Sequence, residues 1–266
     1  MLWGRLDPPW DPARDQIVLI HIRKTAGTAL AQVLRPALDS PGAPVTRWGS
    51  VGRAERGALA LHGPARRFLL NAAERAENLG RRLAGRPVRP PLADQAFVAG
   101  HHVLGAEPPS HRRKLYLTVV RDPVDRFVSD FHFMKGKRDR ARGDAVDPAL
   151  YDLDLPGFVA ALEARPEVHL HDYQCRQLAG RPDADAAIRI VDERLWLAAA
   201  LPQLDRLLDR IAQTLGRPLP PAPVVRRTPG RPPAAALPPD LRARIAALNP
   251  GDARLAAHVA AAFDAL

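Results

Sequence analysis

Three short, largely apolar runs, each ending in a polar cluster, constrain this chain more than anything else in it. Residues 17–22 (IVLIHI), 96–99 (AFVA) and 115–120 (LYLTVV) are rich in branched side chains. Continuous runs of this length read as strands buried on both faces, the kind found in parallel sheets covered by helices. They lead into RKTAGT, GHH and RDPVDRFVS. Helical patterns separate them, so the expected fold is α/β, with a central, mainly parallel sheet flanked by helices.

After the first run, Leu30, Val33, Leu34, Ala37 and Leu38 repeat at helical spacing, and Pro36 predicts an end or kink near Arg35. Residues 40–64 are rich in Gly and Pro and read as irregular, and 65–84 as a helix with an arginine-rich outer face. Asp122 suits an N-cap and Pro123 the first helical position, with Val124, Phe127, Val128 and Phe131 as the buried stripe. Further helices are expected at 156–165, 183–193, 203–215, 239–248 and 252–265, with a strand at 195–199. The proline-rich stretch 216–238 reads as a long loop. With no internal repeat, all 266 residues are expected to form one domain.

Apolar content of 46% and charged content of 26% are those of an ordinary soluble protein. No run approaches the roughly 18 apolar residues of a membrane span. The opening MLWGRLDPPWDPARD has no apolar signal core, and the one cysteine, Cys175, excludes an internal disulfide framework. A cytoplasmic protein is the default expectation. The net charge of +10 favours anionic partners without choosing among them. Of 39 basic residues only Lys24, Lys114, Lys135 and Lys137 are lysines, so the lysine in the first polar cluster stands out.

In open parallel sheets, ligands collect at the carboxyl ends of strands, where helix N-termini present free N–H groups. In RKTAGT, Lys24 is followed by Thr25, Ala26, Gly27 and Thr28, an anion cradle by composition, with two hydroxyls and a glycine for close approach. The glycines that precede the lysine of a nucleoside-triphosphate loop are absent. The plain alternative is a strand–helix turn with a solvated lysine. Arg121, at a strand end, and Ser129, two turns further on, suit a terminal phosphate; the competing reading pairs Arg121 with Asp122 or Asp125. His101 and His102, with reference pKa values of about 6.5, suit a general base. His21 is expected to point into the fold beside the first strand. No cluster has metal-ligand spacing.

HIRKTAGTAL resembles the H-I-P-K-T-A-G-T-S-L signature of the carbohydrate-type (family 2) sulfotransferases. LYLTVVRDPVDRFVSDFHFM resembles their second signature, with its R-D-P-x-x-R-x-x-S core. FVAGHH, HDYQCRQLAG and VVRRTPGR resemble further segments in the same order, over residues 16 to 231. The resemblance implies a P-loop-like α/β domain in which Arg23, Lys24, Thr25, Ala26, Gly27 and Thr28 hold the 5′-phosphosulfate of 3′-phosphoadenosine 5′-phosphosulfate (PAPS). Arg121 and Ser129 would hold its 3′-phosphate, and Arg226, Arg227 or Thr228 would close over the nucleotide. His101, or His102 beside it, would be the base, and no metal would be required. Arg23 stands where the signature has proline, which is expected to leave the entry to the turn less fixed. The acceptor would be a hydroxyl of a saccharide, glycolipid or small molecule, selected by a variable insert at 40–91.

Two other classes fit the residues alone. One is a P-loop-like small-molecule kinase. The other is a basic module for nucleic acid or anionic lipid, using the arginine face of 65–89, although such a face is more often merely solvated. Under the leading reading no nucleic acid is expected, no segment crosses a membrane, and peripheral membrane contact is compatible with the charge.

Overall fold

The computed structural model describes residues 3–4, 6–38, 79–80, 82–84, 94–101, 103–105, 107, 110–136, 148–165, 170–223 and 231–266. Four strands, β1 (Asp15–Ile20), β2 (Phe97–Gly100), β3 (Arg113–Val120) and β4 (Leu195–Ala200), form one sheet in the order β2-β1-β3-β4, every neighbouring pair parallel. All six residues of β1 are buried, and the last six of β3 are too. That burial is why 17–20 and 115–120 read as continuous apolar runs, although β1 starts earlier, at the buried Asp15 and Gln16, and ends at Ile20 instead of at the expected residue 22.

Eight helices accompany the sheet among the described residues: α1 (Gly27–Ala37), α2 (Pro123–Lys135), α3 (Leu155–Glu163), α4 (Tyr173–Ala179), α5 (Ala184–Arg194), α6 (Leu204–Leu215), α7 (Pro239–Ala247) and α8 (Pro250–Asp264). None of them is long and apolar enough to cross a membrane. α1 runs through Pro36 to Ala37 instead of stopping near Arg35. The proline falls in the last turn, where its missing N–H removes only one hydrogen bond and no further turn depends on it. α4 is additional to the expected elements. Residues 40–78 and 85–91, most of the expected insert, lie outside the described residues. Leu79, Gly80, Arg82 and Leu83 are helical there. In the proline-rich stretch, a single 3-10 turn at Ala234–Ala236 is the one regular element among the described residues.

Apolar side chains gather in two clusters. The larger surrounds the sheet, with Leu30, Val33 and Leu34 of α1, Leu207 and Ile211 of α6 and Leu255, Val259 and Phe263 of α8. The second joins Val124, Phe127, Val128 and Phe131 of α2 to Phe158 and Leu162 of α3 and to Leu241 and Ile245 of α7. The expected stripe of α2 is therefore buried, but against other helices. β3 belongs to the first cluster and α2 to the second, so the Arg121–Asp122 link between them marks the seam.

Candidate functional site

From β1 the chain moves outward to β2, then returns to place β3 on the other side of β1. The direction of winding thus reverses between β1 and β3. At such a switch point the connections after the two strands diverge and leave a crevice at their carboxyl ends. The turn carrying Lys24 follows β1 and Arg121 follows β3, so both signatures open onto that crevice.

The turn is built tightly. Lys24 (φ 67°) and Ala26 (φ 63°) are both left-handed, an uncommon conformation for residues with a Cβ. The Thr25 hydroxyl donates to the Ile22 carbonyl at 2.9 Å and is buried, so it braces the turn. α1 then begins at Gly27 with no side-chain cap and no acidic residue in its first turn. What the turn offers an anion is backbone N–H groups, the positive end of a helix and the partly exposed Thr28. Arg23 does not leave the entry loose. Its Nη2 donates to Asp130 Oδ2 at 2.9 Å, and its guanidinium lies 4.9 Å from the Tyr173 ring centroid, which Arg126 approaches at the same distance. An ion pair to α2 and a ring contact to α4 replace the rigidity a proline would supply.

Arg121 forms the ion pair with Asp125 that the sequence left open. Its Nε donates to Asp125 Oδ2 at 2.8 Å, and its Nη2 contacts the same oxygen. Its Nη1 donates to the Lys24 carbonyl at 2.9 Å, across the crevice. Three of the five guanidinium N–H groups are engaged in this way, which leaves two to take an anionic ligand. Burial lowers the Arg121 pKa and the charges of Arg231 and Arg126 add to that, against Asp125, which raises it. An arginine under that load still carries its charge.

α2 carries Asp125, Ser129 and Phe133 at spacings of four, on one face. Arg121 engages the first of these. The Lys24 ammonium sits 4.2 Å from the ring centroid of the last, a cation–π contact. Ser129, buried, lies between them. The two cations expected at opposite ends of one ligand therefore flank a single helix face.

Arg231 is a site residue the sequence reading did not single out, although it ends the late basic loop. Its Nη1 meets Asp125 Oδ1 at 2.5 Å, so Asp125 holds two arginines. Burial raises the Asp125 pKa, but hydrogen bonds from Arg231 and the charge and hydrogen bonds of Arg121 outweigh this and hold the carboxyl low. Burial, with the charges of Arg231 and Lys135, keeps His132 of α2 below the ordinary histidine range. Arg226, Arg227 and Thr228 lie outside the described residues, as does His102.

His101 follows β2. Its Nδ1 lies 2.6 Å from the His21 carbonyl, and its ring stacks on that of His21 with centroids 4.2 Å apart and planes at 24°. His21 is buried, as expected, and packs against Gly27. A Cβ at Gly27 would overlap His21 Cδ2 and lie 2.6 Å from Nε2. The glycine is required here by that ring, since its φ is not left-handed.

Support comes from α4 and α8. Gln174 accepts from the Arg121 N–H at 2.8 Å and donates to the Arg121 carbonyl at 2.9 Å, fixing the end of β3. Asp252 of α8 accepts from the N–H groups of Gln174 (3.0 Å) and Cys175 (2.9 Å), while Asp172 accepts from the N–H of Asp252 at 2.8 Å. The two helix N-termini face each other, each satisfied by a carboxylate from the other's chain segment. Burial, and the nearby Asp252 charge, push the Asp172 pKa up; burial does the same to the Cys175 thiol.

Among the described residues, Arg23, Lys24, Arg121, Arg126 and Arg231 outnumber Asp122, Asp125 and Asp130 around the N-terminus of α1 and the N-terminal part of α2. The arrangement suits an extended polyanion. No protein-family model matches the chain, and no curated protein matches it.

Proposed function

We propose that this protein is a sulfotransferase that moves a sulfuryl group from PAPS to a hydroxyl of a saccharide, glycolipid or small-molecule acceptor. The observation that carries the reading is the Nη1 contact of Arg121 with the Lys24 carbonyl. It brings two signatures 97 residues apart into one crevice at the switch point of a parallel sheet. A nucleotide phosphorylated at both 3′ and 5′ positions supplies an anion for each.

In the proposed reaction, the acceptor oxygen attacks sulfur in line with the bridging oxygen to the 5′-phosphate. The new O–S bond forms as the bridging S–O bond breaks, and 3′-phosphoadenosine 5′-phosphate (PAP) leaves. The acceptor proton passes to His101. Lys24 compensates the charge growing on the bridging oxygen, and the amides at the start of α1 meet the 5′-phosphate. To do so the Lys24 ammonium gives up its contact with the Phe133 ring, worth about 1–2 kcal/mol. Arg121 and Ser129 take the 3′-phosphate, which distinguishes this donor from ATP and AMP.

The test is calorimetry with PAP, ATP with Mg²⁺, AMP and duplex DNA, followed by transfer from labelled PAPS across an acceptor panel. PAP is expected to bind most tightly, and Lys24→Ala to lower turnover by about 10²- to 10³-fold with an unchanged circular dichroism spectrum. Equal binding of ATP with Mg²⁺ would favour a kinase. Salt-sensitive DNA binding without PAP binding would favour a nucleic-acid module.

A further inference from the structure

We propose that His21 is a positioning residue: it holds His101 in the tautomer whose lone pair lies on Nε2 and ties that ring to the start of α1. The role of His101 as base rests on the reading above; its tautomer does not. A backbone carbonyl can only accept, so the 2.6 Å approach of His101 Nδ1 to the His21 carbonyl places the ring proton on Nδ1. In the neutral imidazole this leaves Nε2 as the basic nitrogen.

The carbonyl fixes one point of the His101 ring, and one hydrogen bond does not stop rotation about it. The second constraint is the face-to-face stack at 4.2 Å, which sets the ring plane and hence the direction of Nε2. The carbonyl is itself held, because the His21 N–H donates to the Gly100 carbonyl at 2.8 Å and continues the β1–β2 ladder one residue past β1. The stacking ring is held too. It is buried and packs against Gly27, the first residue of α1. One side chain therefore touches both the helix start that would receive the anion and the imidazole that would receive the proton. A shift of either is felt by the other through close-packed contact.

The test is long-range proton–nitrogen NMR of the imidazoles, without ligand, in the wild type, His21→Ala and His21→Leu. Leucine refills the volume but offers no ring face. The wild type is expected to show His101 with its proton on Nδ1. His21→Ala is expected to lose stability, while His21→Leu recovers the wild-type melting temperature and, with the backbone carbonyl still in place, keeps the Nδ1 proton yet populates a second His101 ring orientation, seen as a second set of His101 ring cross-peaks. In transfer assays, His21→Leu is expected to lower kcat about tenfold, with the donor KM within about twofold. A wild-type His101 protonated on Nε2 would overturn the proposal. So would a His21→Leu variant whose His101 ring keeps a single orientation, since packing alone would then explain the His21 side chain. Failure of PAP to bind would count against the sulfotransferase reading and leave the tautomer result standing.

Discussion

Gly27 shows how a residue can look functional for one reason and be required for another. By composition it allows a phosphate to approach the backbone. In the fold its lack of a Cβ makes room for the His21 ring. Gly27→Ala must therefore displace that ring or α1, and is expected to destabilise by about 1–3 kcal/mol, as overpacking does. Urea denaturation of the single and double variants tests the cause. Gly27→Ala combined with His21→Ala should be more stable than the sum of the two losses by about 1 kcal/mol, and strict additivity would mean the two residues are not coupled. Other residues divide in the same way. The positions of Lys24 and Thr28 at the turn after β1 were legible because the strand-to-helix transition is local in sequence. The ion pair that tethers Arg23 was not, since Asp130 lies 107 residues from Arg23 and no short pattern records the pairing.

The same distinction governs the elements. α2 was legible in full, because Asp122, Pro123 and the apolar stripe are all local signals. Its cap is formed by Asp122 accepting from the Asp125 N–H at 2.8 Å. The strands were legible because burial on both faces leaves continuous apolar runs. α4 was not. It spans seven residues, starts from a left-handed Asp172, and has first-turn N–H groups satisfied by Asp252 from α8 instead of by a local cap. What no local signal could give for α2 is the load on Asp125, whose second arginine is 106 residues away. Its carboxyl pKa is lowered in the fold, so the stabilisation it provides is complete above the unfolded-chain value of 3.8 and disappears as pH falls through the lower folded value. Asp125→Asn is expected to be less stable than the wild type at pH 7. That gap should begin to close near pH 4 and vanish in stronger acid, read as urea midpoints across pH. A gap independent of pH would mean that the charge on Asp125 plays no part.

At the scale of the molecule, the two apolar clusters meet along a seam that is tied, beside the crevice, by polar contacts. Arg121 reaches the Lys24 carbonyl from the link to α2, Arg23 reaches Asp130, and the Lys24 ammonium reaches Phe133. A mostly buried ion pair such as Arg23–Asp130 loses much of its Coulomb gain to desolvation, and a cation–π contact adds about 1 kcal/mol, so these ties add little net stability. The seam is thus where the fold should open first, and it is also where the proposed nucleotide would bind. A ligand at 100 times its Kd stabilises the bound state by about 2.7 kcal/mol, a factor of about 100 in the opening equilibrium. PAP bound in the crevice is therefore expected to slow hydrogen exchange together in two stretches: residues 22–28 beside the sheet, and α2 in the helical cluster. Amides that exchange through opening of the seam should gain up to about 100-fold protection, and AMP, lacking the 3′-phosphate, should protect residues 22–28 alone. Protection by PAP confined to one stretch would separate Lys24 from Arg121 as ligand groups, and the two signatures would then have to serve different partners.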